Sequence, residues 1–214
     1  MNKKAMYNLT YGLFVLTAKE GDKDNGCIIN TAAQVTTEPN RITIAVNKSN
    51  YTHDMVMRTG EFNISILTEN SKMATYKHWG FASGRDVNKM DGLEIDLGQP
   101  ASDEIAIQYR RSANGIIFLT KETNAYISAK VVQTVDLGSH TLFIADVTDA
   151  EVLSDDNSVT YGYYQKNIKP APEKTGDKKG FICTVCGYIY EGETLPKDFI
   201  CPICKHPADD FRPL

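Results

Sequence analysis

Four of the five cysteines of this chain lie between residues 183 and 204, in two C-x-x-C pairs. A C-x-x-C segment makes a tight turn that directs two thiolates at one cation, and two such turns complete a tetrahedron. The ligands predicted by this spacing are Cys183, Cys186, Cys201 and Cys204. A segment as short as 181–214 cannot bury an adequate core, because chains below about 40 residues usually need a metal or disulfides. The tail is therefore expected to fold around a four-cysteine metal centre.

The spacing of the cysteines does not identify the metal. Zinc and iron both accept four thiolates in a tetrahedral arrangement, so a structural zinc site stays open on spacing alone. Disulfides are disfavoured, because thiols are kept reduced in the cytoplasm, which is the expected location of this chain.

Composition indicates an ordinary globular protein. The formal net charge of −4 leaves no basic surplus to neutralise phosphates, so nucleic acid is not an expected partner. No apolar run approaches the roughly 20 residues that cross a bilayer, and the first residues lack the apolar segment of a signal peptide. We therefore expect a cytoplasmic protein with no membrane contact.

The chain is predicted to have two domains joined by a linker. Residues 169–180 are poor in apolar side chains and are punctuated by Pro170, Pro172 and glycines, which is typical of an extended or flexible connection. The predicted boundaries are 1–168 for the larger domain, 169–180 for the linker and 181–214 for the metal module.

Apolar, β-prone runs dominate the larger domain. Three long runs, at 116–119, 125–135 and 141–152, are separated by short turns, and residues 62–67 alternate with a period of two, as a half-buried strand does. Residues 21–26 are predicted to be a turn, because glycine, aspartate and asparagine concentrate there. One helix is predicted from Tyr51 to Arg58, ended by Gly60. Many strands with few helices indicate a mainly β fold, either a barrel or a sandwich.

The cysteine-rich module resembles the rubredoxin family. The resemblance rests on F-I-C-T-V-C-G-Y-I-Y-E-G at 181–192, F-I-C-P-I-C at 199–204 and P-A-D-D-F at 207–211. The interval between the two cysteine pairs is similar to that of compact rubredoxin domains fused to other redox proteins. The resemblance implies one iron ion, Fe(II) or Fe(III), on the four thiolates, and it favours iron over zinc.

The larger domain lacks the G-x-G-x-x-G, G-x-S-x-G and H-E-x-x-H motifs. Residues 5–170 instead resemble the flavin reductase-like family of FMN-binding split β-barrels, of Greek-key type, which includes flavoredoxins. N-T-A-A-Q-V-T at 30–36 resembles the segment along the isoalloxazine ring, and N-K-S-N-Y-T at 47–52 resembles the segment at the ribityl and phosphate end. S-G-R-D-V-N-K at 83–89 resembles the family's S-G-x-x-x-x-K stretch near the phosphate. The flavin contacts implied by these segments are Asn30, Thr31, Ala32, Gln34, Asn47, Lys48, Ser49, Asn50, Thr52, Ser83, Arg85 and Lys89.

Two further segments carry the same resemblance. G-S-H-T-L-F at 138–143 resembles a G-D-H-x-x-F segment beside the flavin, which implies a catalytic role for His140, although Ser139 replaces the acidic residue. Tyr161 to Tyr164 resembles a C-terminal aromatic stretch that implies a flavin contact for Tyr164. The family resemblance also implies a homodimer with the flavin near the subunit interface.

Each of these residues also has a plainer interpretation. Arg85 and Lys89 could belong to a solvated loop, residues 31–34 could be an ordinary strand edge, and His140 could be structural. Cys27 is expected to be a small, partly buried hydrophobic side chain.

The predicted function combines the two domains. NAD(P)H would reduce bound FMN, and electrons would pass singly through the iron site to a partner redox protein such as a flavodiiron protein. This domain order resembles the high-molecular-weight rubredoxins of anaerobes. Two alternatives stay open: an electron carrier that another protein reduces, and a flavin-binding barrel with a structural zinc site.

Overall fold

The computed structural model describes residue 5 and residues 8–99, 107–170, 180–184, 188–201 and 207–214. The strands of the larger domain are β1 (Phe14–Glu20), β2 (Lys23–Ile29), β3 (Ala33–Thr37), β4 (Asn40–Asn47), β5 (Glu61–Leu67), β6 (Leu93–Ile95), β7 (Ile107–Arg111), β8 (Ile117–Leu119), β9 (Thr123–Asp136) and β10 (His140–Val152). Its helices are α1 (Tyr51–Thr59), α2 (Met73–Gly80) and the short α3 (Tyr161–Tyr163), which continues as a π-helical turn over Tyr164–Ile168.

Seven antiparallel strands form the main sheet, in the order β2-β1-β5-β9-β10-β4-β3. A smaller sheet, β6-β7-β8, lies beside it, with β6 and β7 parallel. Successive residues of β1 pack into different hydrophobic clusters: Leu16 and Ala18 into one, Val15 into the other. This strand is therefore buried on both faces, and the mainly β prediction is confirmed.

The prediction of a turn at residues 21–26 is wrong beyond its first two positions. Only Gly21 and Asp22 turn, and β2 begins at Lys23. Asp24 and Asn25 are buried there because distant side chains satisfy them: Arg111 bonds to Asp24, and Thr52 accepts a hydrogen bond from Asn25. Local propensity for turns is overridden by these tertiary partners.

The helix predicted from Tyr51 is confirmed as α1, and Gly60 ends it with φ 70°, a left-handed conformation that glycine adopts without strain. β5 is also confirmed, but it is buried at four successive positions rather than on alternate ones. Packing covers both of its faces, because β5 lies between β1 and β9 in the middle of the sheet while β8 packs across it.

The C-terminal module has a small sheet of its own. Its strands are β11 (Phe181–Cys183), β12 (Ile189–Tyr190) and β13 (Phe211–Pro213), in the order β12-β11-β13. The rings of Tyr188, Tyr190, Phe199 and Phe211 pack against one another with centroid separations from 4.7 to 6.5 Å. In the part of the chain that the structure describes, no helix has the length and apolar character needed to span a bilayer.

Candidate functional site

A cleft of about 340 Å³ lies where the ends of β2 and β4 meet the start of α1 and the residues after α2. The predicted flavin-site residues that line it are Asn30, Thr31, Asn47, Ser49, Asn50, Ser83, His140 and Tyr164. They come from five separate stretches of the chain, and the fold brings them to one cavity. Apolar side chains, among them Ile28 and Ile29, line the cleft between these residues.

The polar end of the cleft is the start of α1. Asn50 occupies the N-cap position, and its side chain makes no capping hydrogen bond. The first N–H groups of a helix have no carbonyl partner within the helix, so this end presents donors and a partial positive charge. Asn47 fixes the segment that leads into α1, because its Oδ1 accepts a hydrogen bond of 2.9 Å from the Ser49 N–H. The arrangement suits an anionic group.

The opposite wall is aromatic. Tyr164 is 6% exposed, and its ring lies 4.5 Å from that of the buried Tyr76, at a tilt of 44°. Burial raises the pKa of Tyr76 to about 12, although a hydrogen bond with Ser71 works against this shift. Tyr161 also lines the cleft. Thr160 caps the helical segment that carries these tyrosines, because its Oγ1 accepts a hydrogen bond from the Tyr163 N–H.

His140 lines the cleft from the first position of β10, directly opposite Asn47 on β4. Its Nδ1 is 2.9 Å from the hydroxyl of Ser139. The neighbouring hairpin is held by Lys48, whose ammonium lies 2.6 Å from Asp136 Oδ1 and whose N–H donates to the Ser139 carbonyl. The hydrogen bond from Lys48 lowers the pKa of the Asp136 carboxyl. Lys48 therefore braces the turn beside His140 and does not line the cleft.

Three more of the predicted contacts lie outside the cleft lining. Ala32 packs against the hydrophobic core, Gln34 is exposed and donates to Asn40, and the buried Thr52 accepts from Asn25. Thr31 does reach the cleft, but its hydroxyl is bonded to the Ala45 carbonyl at 2.7 Å and so links β4 to the segment after β2.

Arg85 and Lys89 also differ from the resemblance. Arg85 lies in a separate, shallow groove of about 840 Å³, where it pairs with Asp54 at 2.5 Å and stands over the ring of Tyr51. Lys89 is 4% exposed, and its ammonium donates to the carbonyls of Gly26 and Trp79. Neither side chain points into the cleft in this structure, and Lys89 is not part of a solvated loop.

Sequence reasoning missed the wall that α2 provides. Tyr76, Gly80, Phe81 and Ala82 all line the cleft, and α2 was not predicted as a helix. Tyr76 and Trp79 are spaced by three and are both buried, which is the periodicity of a buried helical face. This spacing is the feature of the sequence from which α2 could have been predicted.

Two of the four predicted metal ligands lie among the residues that the structure describes. Cys183 and Cys201 are both buried, 1% and 0% exposed, and the Cys183 N–H donates to the Tyr188 carbonyl at 2.8 Å. Cys186 and Cys204 lie outside the described residues. No group of three or more metal-binding side chains is found among the residues that are described, which follows from the position of these two. Two buried thiols in so small a module fit a thiolate-bound metal.

The donor set of the cleft fits a flavin. A flat aromatic ring needs an apolar slot with an aromatic wall, which Ile28, Ile29 and Tyr164 provide. A phosphate-bearing tail needs donors at one end, which α1, Ser49 and Ser83 provide.

Comparisons with known proteins agree with both halves of the chain. Residues 6–172 match the family model "Flavin reductase like domain", and residues 181–212 match "Rubrerythrin, rubredoxin-like domain". "High molecular weight rubredoxin" of Moorella thermoacetica is 34% identical, over 99% of each chain. "Ferric-chelate reductase (NAD(P)H)" of Archaeoglobus fulgidus is 34% identical, over 82% of this chain and 95% of that one.

Among solved structures, the NADH:FAD oxidoreductase SgcE6 of Streptomyces globisporus C-1027 aligns with a TM-score of 0.61 at 16% identity, over 74% of this chain and 85% of that one. At this identity the likeness shows the fold. The predicted fold class, a mainly β domain of the flavin reductase-like type followed by a small rubredoxin-like domain, is confirmed.

Proposed function

Because this chain belongs to the flavin reductase-like domain family and ends in a rubredoxin-like domain, we propose that it oxidises NAD(P)H with bound FMN and passes the electrons through a four-cysteine iron site to a partner redox protein. The family membership makes it an oxidoreductase. The nucleotide donor, FMN as the flavin, and the acceptor are the parts we propose.

The observation that carries the proposal is the assembly of the cleft. Segments that are separated by up to 134 residues, from Asn30 to Tyr164, place polar and aromatic side chains around one cavity. The lining combines polar groups, among them the start of α1, with apolar and aromatic side chains, which matches a planar ring with an anionic tail. We propose Asn30, Asn47, Ser49, Asn50, Ser83 and Tyr164 as the groups that hold the flavin.

The positions of the hydrogen-bond donors favour FMN over a flavin with an adenylate extension. The N-terminus of α1 and Ser83 lie at one end of the cleft, where a terminal phosphate would accept hydrogen bonds from backbone N–H groups. The cations beyond that end are already engaged, Arg85 with Asp54 and Lys23 with the Gly84 carbonyl. An adenylate extension would have to compete for these groups, whereas a single phosphate would not.

NAD(P)H as the donor is supported by a relative. The Archaeoglobus fulgidus relative is named an NAD(P)H-dependent reductase, and its similarity covers most of both chains. His140 is proposed to act on the bound nicotinamide or flavin, because it lines the cleft with Nδ1 bonded to Ser139 and is oriented by that bond.

When bound, flavin can accept the two electrons of a hydride and return them singly, and a four-thiolate iron carries one electron at a time. The protein's contribution is to orient the two sites and to keep the second near the first. The proposed division is 1–168 for the flavin domain, 169–180 for the linker and 181–214 for the metal module. A tether of this length maintains a high local concentration of one module around the other.

The remaining proposals rest on the family resemblance. We propose a cytoplasmic homodimer, with a separate redox protein such as a flavodiiron protein as acceptor. No nucleic acid partner is proposed, because the net charge of −4 leaves no basic surplus for phosphates.

The test is an absorption spectrum with metal and flavin analysis on protein purified without air. The proposal expects FMN on extraction, one iron per chain, and bleaching of the flavin when NADH or NADPH is added anaerobically. If the flavin bleaches only with a donor protein, the chain is an electron carrier and not an NAD(P)H-oxidising enzyme. Stoichiometric zinc in protein made in iron-replete cells would remove the electron-transfer role of the tail.

A further inference from the structure

The ammonium of Lys89 is buried between two backbone segments of the larger domain. Its Nζ donates to the Gly26 carbonyl at 2.8 Å and to the Trp79 carbonyl at 2.7 Å. The side chain is 4% exposed, and among the described residues it forms no ion pair with a carboxylate. A buried ammonium without a counter-ion is costly, so its position needs an explanation beyond packing.

The two carbonyls immediately precede two residues that line the cleft. Gly26 precedes Cys27 on β2, and Trp79 precedes Gly80 at the end of α2. Lys89 therefore ties together the two segments that form one side of the cleft. The Trp79 carbonyl also lies in the last turn of α2, where a cation is favoured by the helix dipole.

The family resemblance implies a different role for this lysine, at the flavin phosphate. The ammonium is bonded to the carbonyls that precede Cys27 and Gly80, and Lys89 itself does not line the cleft. The charge therefore lies behind the wall of the cavity and not in its lining.

We propose that Lys89 is a positioning residue that sets the reduction potential of the flavin bound in this cleft, by placing a fixed positive charge behind the wall that β2 and α2 form. This inference rests on the proposed function, since it needs a flavin in the cleft. Reduction by two electrons with uptake of one proton leaves the flavin with one additional negative charge. A buried cation close to that charge stabilises the reduced form more than the oxidised form, because screening is weak away from water.

Among the titratable groups that face Lys89, only Lys89 itself changes its charge near pH 8. Burial lowers the pKa of Lys89 to about 8, against a smaller opposing effect of Cys27. The His78 ring bonds to the Lys89 carbonyl, and burial lowers its pKa. Burial raises the pKa of the Cys27 thiol. His78 and Cys27 are therefore both neutral near pH 8, where the ammonium begins to lose its proton.

The experiment compares Lys89→Met with Lys77→Met in the full chain. Lys77 is an exposed lysine on α2, the helix whose Trp79 carbonyl accepts from Lys89, so its variant removes one positive charge nearby without touching the cleft. Dissociation constants for oxidised and for dithionite-reduced FMN are measured by anaerobic ultrafiltration, which the absorption of the iron site does not disturb. In Lys89→Met the preference for reduced over oxidised FMN is expected to fall at least tenfold, equivalent to about 30 mV for a two-electron couple. In Lys77→Met it should stay unchanged.

An unchanged ratio in Lys89→Met overturns the inference, because a purely structural brace would weaken both redox states alike. If Lys89→Met does not fold, the wild-type protein supplies the test: the same ratio measured from pH 7 to pH 9.5 should fall as the pH passes about 8. A ratio that is flat in pH would again overturn it. Wild-type protein that binds no FMN would contradict the proposed function itself, which distinguishes the two failures.

Discussion

Arg111 holds Asp24 with both arms of its guanidinium: Nη1 donates to Oδ1 at 2.9 Å and Nη2 to Oδ2 at 2.7 Å. The pair joins β7 of the small sheet to β2 of the main sheet, and the hydrogen bonds with Asp24 raise the pKa of Arg111. Asp24 is 7% exposed, so its carboxylate depends on this partner.

Removing the guanidinium should therefore destabilise the larger domain. Arg111→Met leaves the buried carboxylate without its donor and is expected to lower the free energy of unfolding by about 1–3 kcal/mol. Arg41→Met is the matched control, because Arg41 and Asp146 form a more exposed pair that is worth about 0–1 kcal/mol. Urea unfolding followed by the fluorescence of Trp79, the one tryptophan of the chain, measures both. Equal losses in the two variants would contradict the structural role of the Arg111 pair.

Replacing one of its four cysteine ligands should unfold the metal module. Cys201 is completely buried, and metal binding supplies much of the folding free energy of such a small module. Cys201→Ala is expected to abolish stoichiometric iron and the visible bands of ferric thiolate, as measured by metal analysis and absorption. Cys27→Ala is the control, since Cys27 lies in the larger domain and should leave the iron content intact. Full iron in Cys201→Ala would exclude the four-cysteine site.

Ser83 should recognise the phosphate of the flavin. Ser83→Ala removes a hydroxyl at the polar end of the cleft and is expected to weaken FMN binding by about tenfold, the range of a hydrogen bond to a charged group. Riboflavin, which lacks the phosphate, should bind the variant and the wild type alike. Fluorescence titration of the apoprotein gives both dissociation constants. A parallel loss for riboflavin would indicate that Ser83 acts on another part of the ligand.

Lys89 should also shape stability at alkaline pH. Its pKa is lowered to about 8 in the folded protein, whereas an unfolded lysine titrates near 10.4. Between these values the unfolded chain binds more protons, so the contribution of Lys89 to stability rises as the pH increases from about 8 to about 10.4. The measurement is the difference in unfolding midpoint between wild type and Lys89→Met across this range. Taking the difference cancels other groups such as Tyr76, whose raised pKa acts in the opposite direction. A constant difference would contradict the burial of a charged amine.

His140 should matter for turnover more than for binding. His140→Gln is expected to slow NAD(P)H-dependent flavin reduction by about 100-fold, the usual contribution of a proton-transferring group, with a small change in FMN affinity. Anaerobic stopped-flow absorbance measures the rate. Ser139→Ala tests the orienting hydrogen bond separately and should give a milder loss. Unchanged reduction in His140→Gln would make the histidine structural.

The parts of the fold that follow from local pattern were predictable from sequence. The long apolar runs at 125–135 and 141–152 became β9 and β10, and the helix from Tyr51 ended at Gly60 as expected. The start of β2 was not predictable, because Asp24 and Asn25 are polar and their partners Arg111 and Thr52 are 87 and 27 residues away. A single sequence carries no signal for a pairing at that separation.

The candidate site also divides into residues placed by local pattern and residues placed by distant partners. Asn47, Ser49 and Asn50 fall at the cleft because they precede a helix whose start is readable from the sequence. Lys89 and Arg85 lie elsewhere because their final positions depend on tertiary acceptors, two carbonyls for one and Asp54 for the other. The motif predicted the right loop, and the direction of each side chain was decided by partners that the motif does not contain.

The chain leaves the larger domain beside its own cleft. Tyr164 forms the aromatic wall, and residues 164–168 are the last helical turn before residue 169. The connection to the C-terminal module therefore begins within five residues of a side chain that lines the cleft. Residue 180, the first described residue of the module, follows Lys169 by eleven residues, and at about 3.3–3.6 Å per residue it lies within about 40 Å of Lys169.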